Sequence, residues 1–206
     1  MSKKLVVQFV AAVVASVFAG GLWISGTEPQ LAWLRFFSLA VWVALLGLLV
    51  WEKYLWRLRL VQKWTQSPRD LRGTWQGTLR SLWIDPETGE SPNEKTVYLV
   101  VRQDASSLSV VLLTNESQSS SSLAKVTDDN TVASLDYMYL NRPDPTVEHR
   151  SRMHHGSSSM TIIGRPATRL RGRYWTDRDS RGELDFTLRK PGLVDGYGEA
   201  ATLFAD

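Results

Sequence analysis

MHHGSSSMTIIGRPATRLRGRYWTDRDSRGELDFTLR, residues 153–189, decides the fold of this 206-residue chain. Around Leu170, Gly172 and Tyr174 the residues alternate with Arg169, Arg171, Arg173 and Trp175. A period of two is the mark of a strand with two unlike faces. The breaks are Arg165-Pro166 and Asp177-Arg178-Asp179-Ser180-Arg181, rich in turn formers and short enough for hairpins. Outward from this stretch the same texture holds from Asp70 to Lys190, with no helical periodicity. Strands are expected at 71–84, 95–103, 108–114, 119–126, 131–141, 153–164, 168–175 and 182–189. Turn chemistry joins them at 85–89, 104–106, 115–117, 128–130 and 141–145.

Eight hairpin-linked antiparallel strands without a crossover helix close on themselves most economically, because closure removes both aggregation-prone edges. The expectation is an all-β domain, an eight-stranded antiparallel up-and-down β-barrel with room for one small ligand. A β-sandwich is the competing arrangement. Gly73-Thr74-Trp75 resembles the G-x-W opening of lipocalin-type barrels, whose tryptophan plugs one end. Alternation puts Trp75, Leu79 and Trp83 on one face of the first strand, and Leu135, Tyr137, Tyr139 and Asn141 on one face of the fifth.

Ahead of the barrel the composition changes. Residues 5–24 form an apolar run with Gln8 and Ser16 as its main polar side chains, long enough at 1.5 Å per residue to cross about 30 Å of hydrocarbon. A second run covers 31–51, with Arg35 placed to snorkel. The connector 25–30 has no basic residue, whereas Lys3, Lys4, Lys53, Arg57, Arg59 and Lys63 flank the pair, so both termini are expected in the cytoplasm of a multi-pass inner-membrane protein. A cleaved signal peptide fits less well, since the first run is too long and a second follows at once. Trp23 and Trp33 fall at the outer interface of this scheme, Trp51 and Trp56 at the inner one. Ala12, Ser16 and Gly20 recur every four residues and offer a surface for close helix packing, either on the second helix or between protomers. Residues 52–69 read as a basic amphipathic stalk continuing the second helix to Pro68, and 191–206 as a C-terminal tail.

The net charge of +3 dissolves on division by region. Residues 1–51 carry Lys3, Lys4 and Arg35 against Glu28, and 52–72 carry six basic side chains against Glu52 and Asp70. The remainder holds 15 basic and 18 acidic residues, a poor footprint for a DNA or RNA polymer. There is no cysteine, hence neither a disulfide framework nor a thiolate nucleophile. Of the three histidines, His154 and His155 are adjacent and point to opposite faces of a strand, which argues against a metal site. No G-x-S-x-G elbow, phosphate-binding glycine loop or framed carboxylate pair occurs, so no enzyme, metal or cofactor is expected. What remains is a binding pocket, with aromatic rings to stack on bases and arginines to meet phosphates.

Two spans joined to a barrel that begins Leu71-Arg72-Gly73-Thr74-Trp75 resemble the two-transmembrane, β-strand-rich effectors of bacterial CBASS anti-phage systems, the CD-NTase-associated protein 15 family. Tyr137-Met138-Tyr139-Leu140-Asn141-Arg142-Pro143 and Gly172-Arg173-Tyr174-Trp175-Thr176-Asp177-Arg178, followed by Gly182, are similar to segments of that family. The resemblance implies that a cyclic dinucleotide made by a partner CD-NTase binds the barrel, that protomers assemble, and that their helices disrupt the inner membrane and arrest growth. Joined to the face assignment, it makes Tyr137, Tyr139, Asn141, Arg152, His155, Tyr174, Thr176 and Arg178 the expected ligand contacts. The alternatives are a membrane-tethered lipocalin-like carrier of a hydrophobic ligand and a scaffold protein with a filled barrel.

Overall fold

The computed structural model describes residues 3–25, 32–64, 68–84, 89, 94–128, 132–149 and 151–205. Two compact units divide the chain, Met1–Ser67 and Pro68–Asp206.

The first unit contains helices α1 (Lys3–Ser25) and α2 (Ala32–Lys53). Among the described residues the stretch Val7–Ile24 of α1 is long and apolar enough to cross a membrane. The helices pack where α2 is thin: Ala40 and Ala44 are buried, and a Cβ on Gly47 would fall 2.6 Å from Cζ of Phe9. The stripe on α1 is not that contact. Ala12 and Ser16 are exposed, and a Cβ on Gly20 would meet nothing within 4 Å. Most of the connector, 26–30, lies outside the described residues.

The stalk is not the continuous helix expected. The chain passes from α2 into a 3₁₀ turn, Leu55–Arg57, becomes extended at Leu58, and resumes as the short helix α3 (Arg59–Trp64). No proline or glycine marks the break, so the sequence gives no warning of it. It coincides with burial of Trp56, placed by the sequence at a membrane interface and here only 1% exposed. Burying a large apolar side chain outweighs the few tenths of a kcal/mol that one helical residue is worth.

In the second unit eight strands form a closed antiparallel barrel in sequence order: β1 (Gly73–Ser81), β2 (Lys95–Gln103), β3 (Leu108–Leu113), β4 (Ser117–Asp128), β5 (Ala133–Pro143), β6 (His154–Ile163), β7 (Arg169–Thr176) and β8 (Arg181–Lys190). β8 returns to β1, with Leu79 opposite Leu184. The turn residues 85–88 and 129–131 lie outside the described residues. Inside, Trp75, Val97, Leu99, Leu135, Met160, Leu170, Leu184 and Phe186 are fully buried and pack as one cluster.

One end is sealed. Trp75 donates from Nε1 to the Leu71 carbonyl at 2.9 Å, and the Arg189 guanidinium sits 5.3 Å over its ring while donating to the carbonyls of Asp70 and Arg72. The Gln103 side chain accepts from Leu71 N and donates to the Arg69 carbonyl, and Arg69 reaches Asp128 at 2.9 Å. The chain's entry into the barrel is thereby tied to its floor. Trp83, expected to share the face of Trp75 and Leu79, lies beyond the end of β1 and is half exposed, because the strand stops at Ser81.

The segment 191–206 is more than a tail. Its helix α4 (Tyr197–Ala205) covers the outside of β2 and β3, burying Tyr98, Val100 and Leu113 against Val194 and Ala200. Tyr98 stands 5.3 Å from Tyr197 and 5.7 Å from Phe204, ring to ring. The run Val97-Tyr98-Leu99-Val100-Val101 is apolar on both faces for this reason.

Candidate ligand-binding site

Along β5 the inward residues run Ala133, Leu135, Tyr137, Tyr139, Asn141, from methyl groups through phenols to a carboxamide. The interior is therefore apolar at the sealed end and polar at the other. Cross-strand register completes the polar layer, setting Tyr137 opposite Ser158, Tyr139 opposite Gly156, and Tyr174 opposite both Ser158 and Gly182.

Glycine makes room for the rings. A Cβ on Gly156 would lie 2.4 Å from the Tyr139 hydroxyl, and one on Gly182 would lie 2.5 Å from the ring of Tyr174. The rings of Tyr137 and Tyr139 stand 5.8 Å apart, tilted by 46°. Asn141 Oδ1 accepts from Ser119 Oγ at 2.8 Å, both residues buried. Ser158 Oγ donates to the Arg173 carbonyl at 3.1 Å.

The Tyr137 hydroxyl is the anomaly of this layer. It is fully buried and makes no hydrogen bond of acceptable geometry. Burial pushes its pKa well above the usual phenol range, and the nearby Ser158 hydroxyl only partly offsets that. Burial also raises Tyr139, helped by Tyr137, Tyr174 and Asp177, and raises Tyr174, where a bond to Ser81 acts in the opposite direction. All three are neutral donors at physiological pH.

At the rim the β7–β8 turn folds toward the start of β6. Thr176 Oγ1 lies 2.7 Å from Ser180 Oγ and accepts from Arg178 N, so Thr176 shapes the turn. Arg178 Nη1 donates to the Arg152 carbonyl at 3.1 Å and to Ser151 Oγ at 3.4 Å. Asp177 Oδ2 accepts from His155 N at 3.1 Å.

The structure thus gathers Tyr137, Tyr139, Asn141 and Tyr174 inside one barrel end, with Thr176 and Arg178 at its rim. Arg152 contributes its carbonyl there, and the residue is exposed. His155 does not join them. On β6 the buried residues are Ser158, Met160 and Ile162, so the inward histidine is His154 and the exposed His155 faces out. Ser81, Ser119, Ser158 and Gly156 are not among the residues expected from the sequence, although Gly156 and Ser158 alternate on β6 as Tyr137 and Tyr139 do on β5. Among the described residues no three His, Asp or Glu side chains gather as a metal would need. Two open grooves flank the mouth from outside. One of about 390 Å³ runs between Arg142, Gln118 and Tyr197, and one of about 670 Å³ is lined by Trp83, Trp175 and Arg181.

Known proteins bear on this geometry. A family model described as Cap15, cyclic dinucleotide receptor domain, matches residues 65–189, more than half of the chain and nearly all of the barrel. The CD-NTase-associated protein 15 of Staphylococcus schleiferi is 25% identical over 161 residues, covering 78% of this chain and 83% of that protein.

Proposed function

The chain belongs to the family of Cap15 cyclic dinucleotide receptor domains, and on that premise we propose that the polar end of its barrel binds a cyclic dinucleotide and controls the helices of the first unit. The observation that carries the location is the buried tyrosine layer, in which the Tyr137 hydroxyl makes no hydrogen bond and has only the Ser158 hydroxyl nearby. A buried unsatisfied polar group costs about 1–3 kcal/mol, a cost that a ligand acceptor removes.

In this reading the rings of Tyr139 and Tyr174 swing aside and stack on the two bases, which lie on opposite sides of one small macrocycle. Tyr137 and Asn141 hydrogen-bond base edges, and Arg178, held at the rim by the Arg152 carbonyl and the Ser151 hydroxyl, meets a phosphate. Ligand raises the population of assembled protomers by binding the assembled state more tightly. Both α1 and α2 span the inner membrane with the termini in the cytoplasm, and the uncovered Ala12, Ser16 and Gly20 face provides helix contacts between protomers. Assembly then disrupts the membrane and arrests the infected cell.

The carrier alternative finds no support, because the apolar half of the barrel is filled by its own side chains. The test is calorimetry on the full chain in lipid nanodiscs against a cyclic-dinucleotide panel. Micromolar or tighter binding of one member is expected, weakened by roughly 1–3 kcal/mol in Tyr139→Leu and Tyr174→Leu, the scale of one stacked base. Binding by no member of the panel refutes the reading. Co-induction with a cyclic-dinucleotide synthase should halt growth, and removal of 1–51 should abolish that arrest.

A further inference from the structure

The outside of the barrel is covered unevenly. α4 shields β2 and β3, whereas on β4, β5 and β7 the apolar side chains Leu123, Met138 and Trp175 are 65%, 53% and 51% exposed. The register places them in a single row, with Leu123 opposite Met138, Met138 opposite Ser157, and Ser157 opposite Trp175. The next row, one pleat along, reads Lys125, Asp136, Ser159, Arg173, Glu183. Its charges are positive, negative, neutral, positive and negative.

That order is self-complementary. When two copies pack face to face about a two-fold axis running along β6, each row meets its own reverse. Lys125 then faces Glu183, Asp136 faces Arg173, and Ser159 faces Ser159. In the apolar row Met138 faces Trp175, a favourable thioether–aromatic pairing, and at the ends Leu123 faces Arg181. The third row brings Ser134 to Arg171 around Thr161, so no like charges meet. Shape agrees with charge: the convex crest carries Ser157, Ser159 and Thr161, which are short, while the flanks that curve away carry methionine, tryptophan and arginine.

We propose that this outer face of β5, β6 and β7 is the barrel-to-barrel interface between two copies of the chain, joined about a two-fold axis along β6. The inference rests on the assembly proposed above and supplies its surface. Five strands, β4 to β8, about 4.8 Å apart and crossed by three rows about 7 Å apart, give on the order of 300 Å² per partner, well short of a free-standing interface. The contact holds only where confinement to the membrane, or helices that associate as well, raise the effective concentration. Such an interface suits a switch that must stay apart at rest.

The chain contains no cysteine, which makes cross-linking clean. Full-length Ser159→Cys in membranes, oxidised in the presence of the cyclic dinucleotide panel, should form covalent dimer several-fold above Thr187→Cys, an exposed control on β8. Ser157→Cys, on the same axis, serves as a second reporter should loss of the Ser159–Asp136 bond disturb the first. In the Ser159→Cys background, Asp136→Arg alone and Arg173→Asp alone should each lower the dimer yield roughly ten-fold, since symmetry doubles every exposed like-charge contact. Co-expression of the two variants should restore it, because the mixed dimer pairs opposite charges throughout. If the chain associates by native mass spectrometry while both cysteine reporters stay at the control level, or if mixing restores nothing, the interface is wrong and assembly stands. If the chain associates with no member of the panel, the assembly reading itself falls.

Discussion

Tyr137→Phe removes one oxygen atom and should make the protein more stable while making it a poorer receptor. Tyr137 is 3% exposed and its hydroxyl lacks a hydrogen-bond partner in the closed barrel. Leaving such a group buried costs about 1–3 kcal/mol, and phenylalanine keeps the ring that packs on Tyr139 and Leu135. A gain of that size raises the melting temperature by roughly 2–8 °C per kcal/mol, depending on domain size. The assay is thermal unfolding of the full chain in detergent, followed by near-ultraviolet circular dichroism. The same variant should lose one neutral hydrogen bond to the ligand, about 0.5–1.5 kcal/mol, or up to roughly ten-fold in affinity. A lower melting temperature refutes the reasoning, for it means the hydroxyl already has a partner. Ser158→Ala identifies it: with no bond between them the two substitutions add within about 0.5 kcal/mol.

Gly172→Ala should abolish accumulation of folded protein, because its Cβ would lie 2.0 Å from the Ser159 carbonyl oxygen and 2.6 Å from Cα of Met160, contacts that no rotamer change relieves. Gly198→Ala, with nothing within 4 Å and a place in α4, should instead raise stability by about 0.5–1 kcal/mol in the same melts. Above pH 10 the unfolded phenols ionise while Tyr137, Tyr139 and Tyr174 resist, so stability that is full below pH 10 is lost as pH rises. Tyrosinate absorbance at 295 nm should accordingly show a late, cooperative component, and a simple titration centred near 10 for every tyrosine would contradict the burial argument. Truncation after Leu193 should expose Tyr98, Val100 and Leu113 and give aggregation visible by light scattering, with the barrel's far side unaffected in hydrogen exchange.

The sequence alone determined what depends on neighbours in the chain. Strand positions, hairpin connections and the inward side of β5 follow from alternation and turn chemistry, and these select Tyr137, Tyr139 and Tyr174 as companions. Closure followed indirectly, from the cost of leaving edges. The apolar character of α1 is likewise local. What only the tertiary structure decided depends on register between strands distant in sequence. The face of His154 against that of His155 could not be fixed without knowing where β6 begins beside β5. Gly156 and Gly182 acquire meaning as seats for tyrosine rings only once cross-strand partners are set. The helix α4 is legible in part, since five successive apolar residues in β2 announce cover on both faces, but which segment provides it is a matter of packing. The charge order across β4 to β8 is scattered over about sixty residues of sequence, and only closure of the barrel lines it up. Alternation is a property of one strand, whereas a row belongs to the sheet, and hydrogen bonding between strands is what creates it.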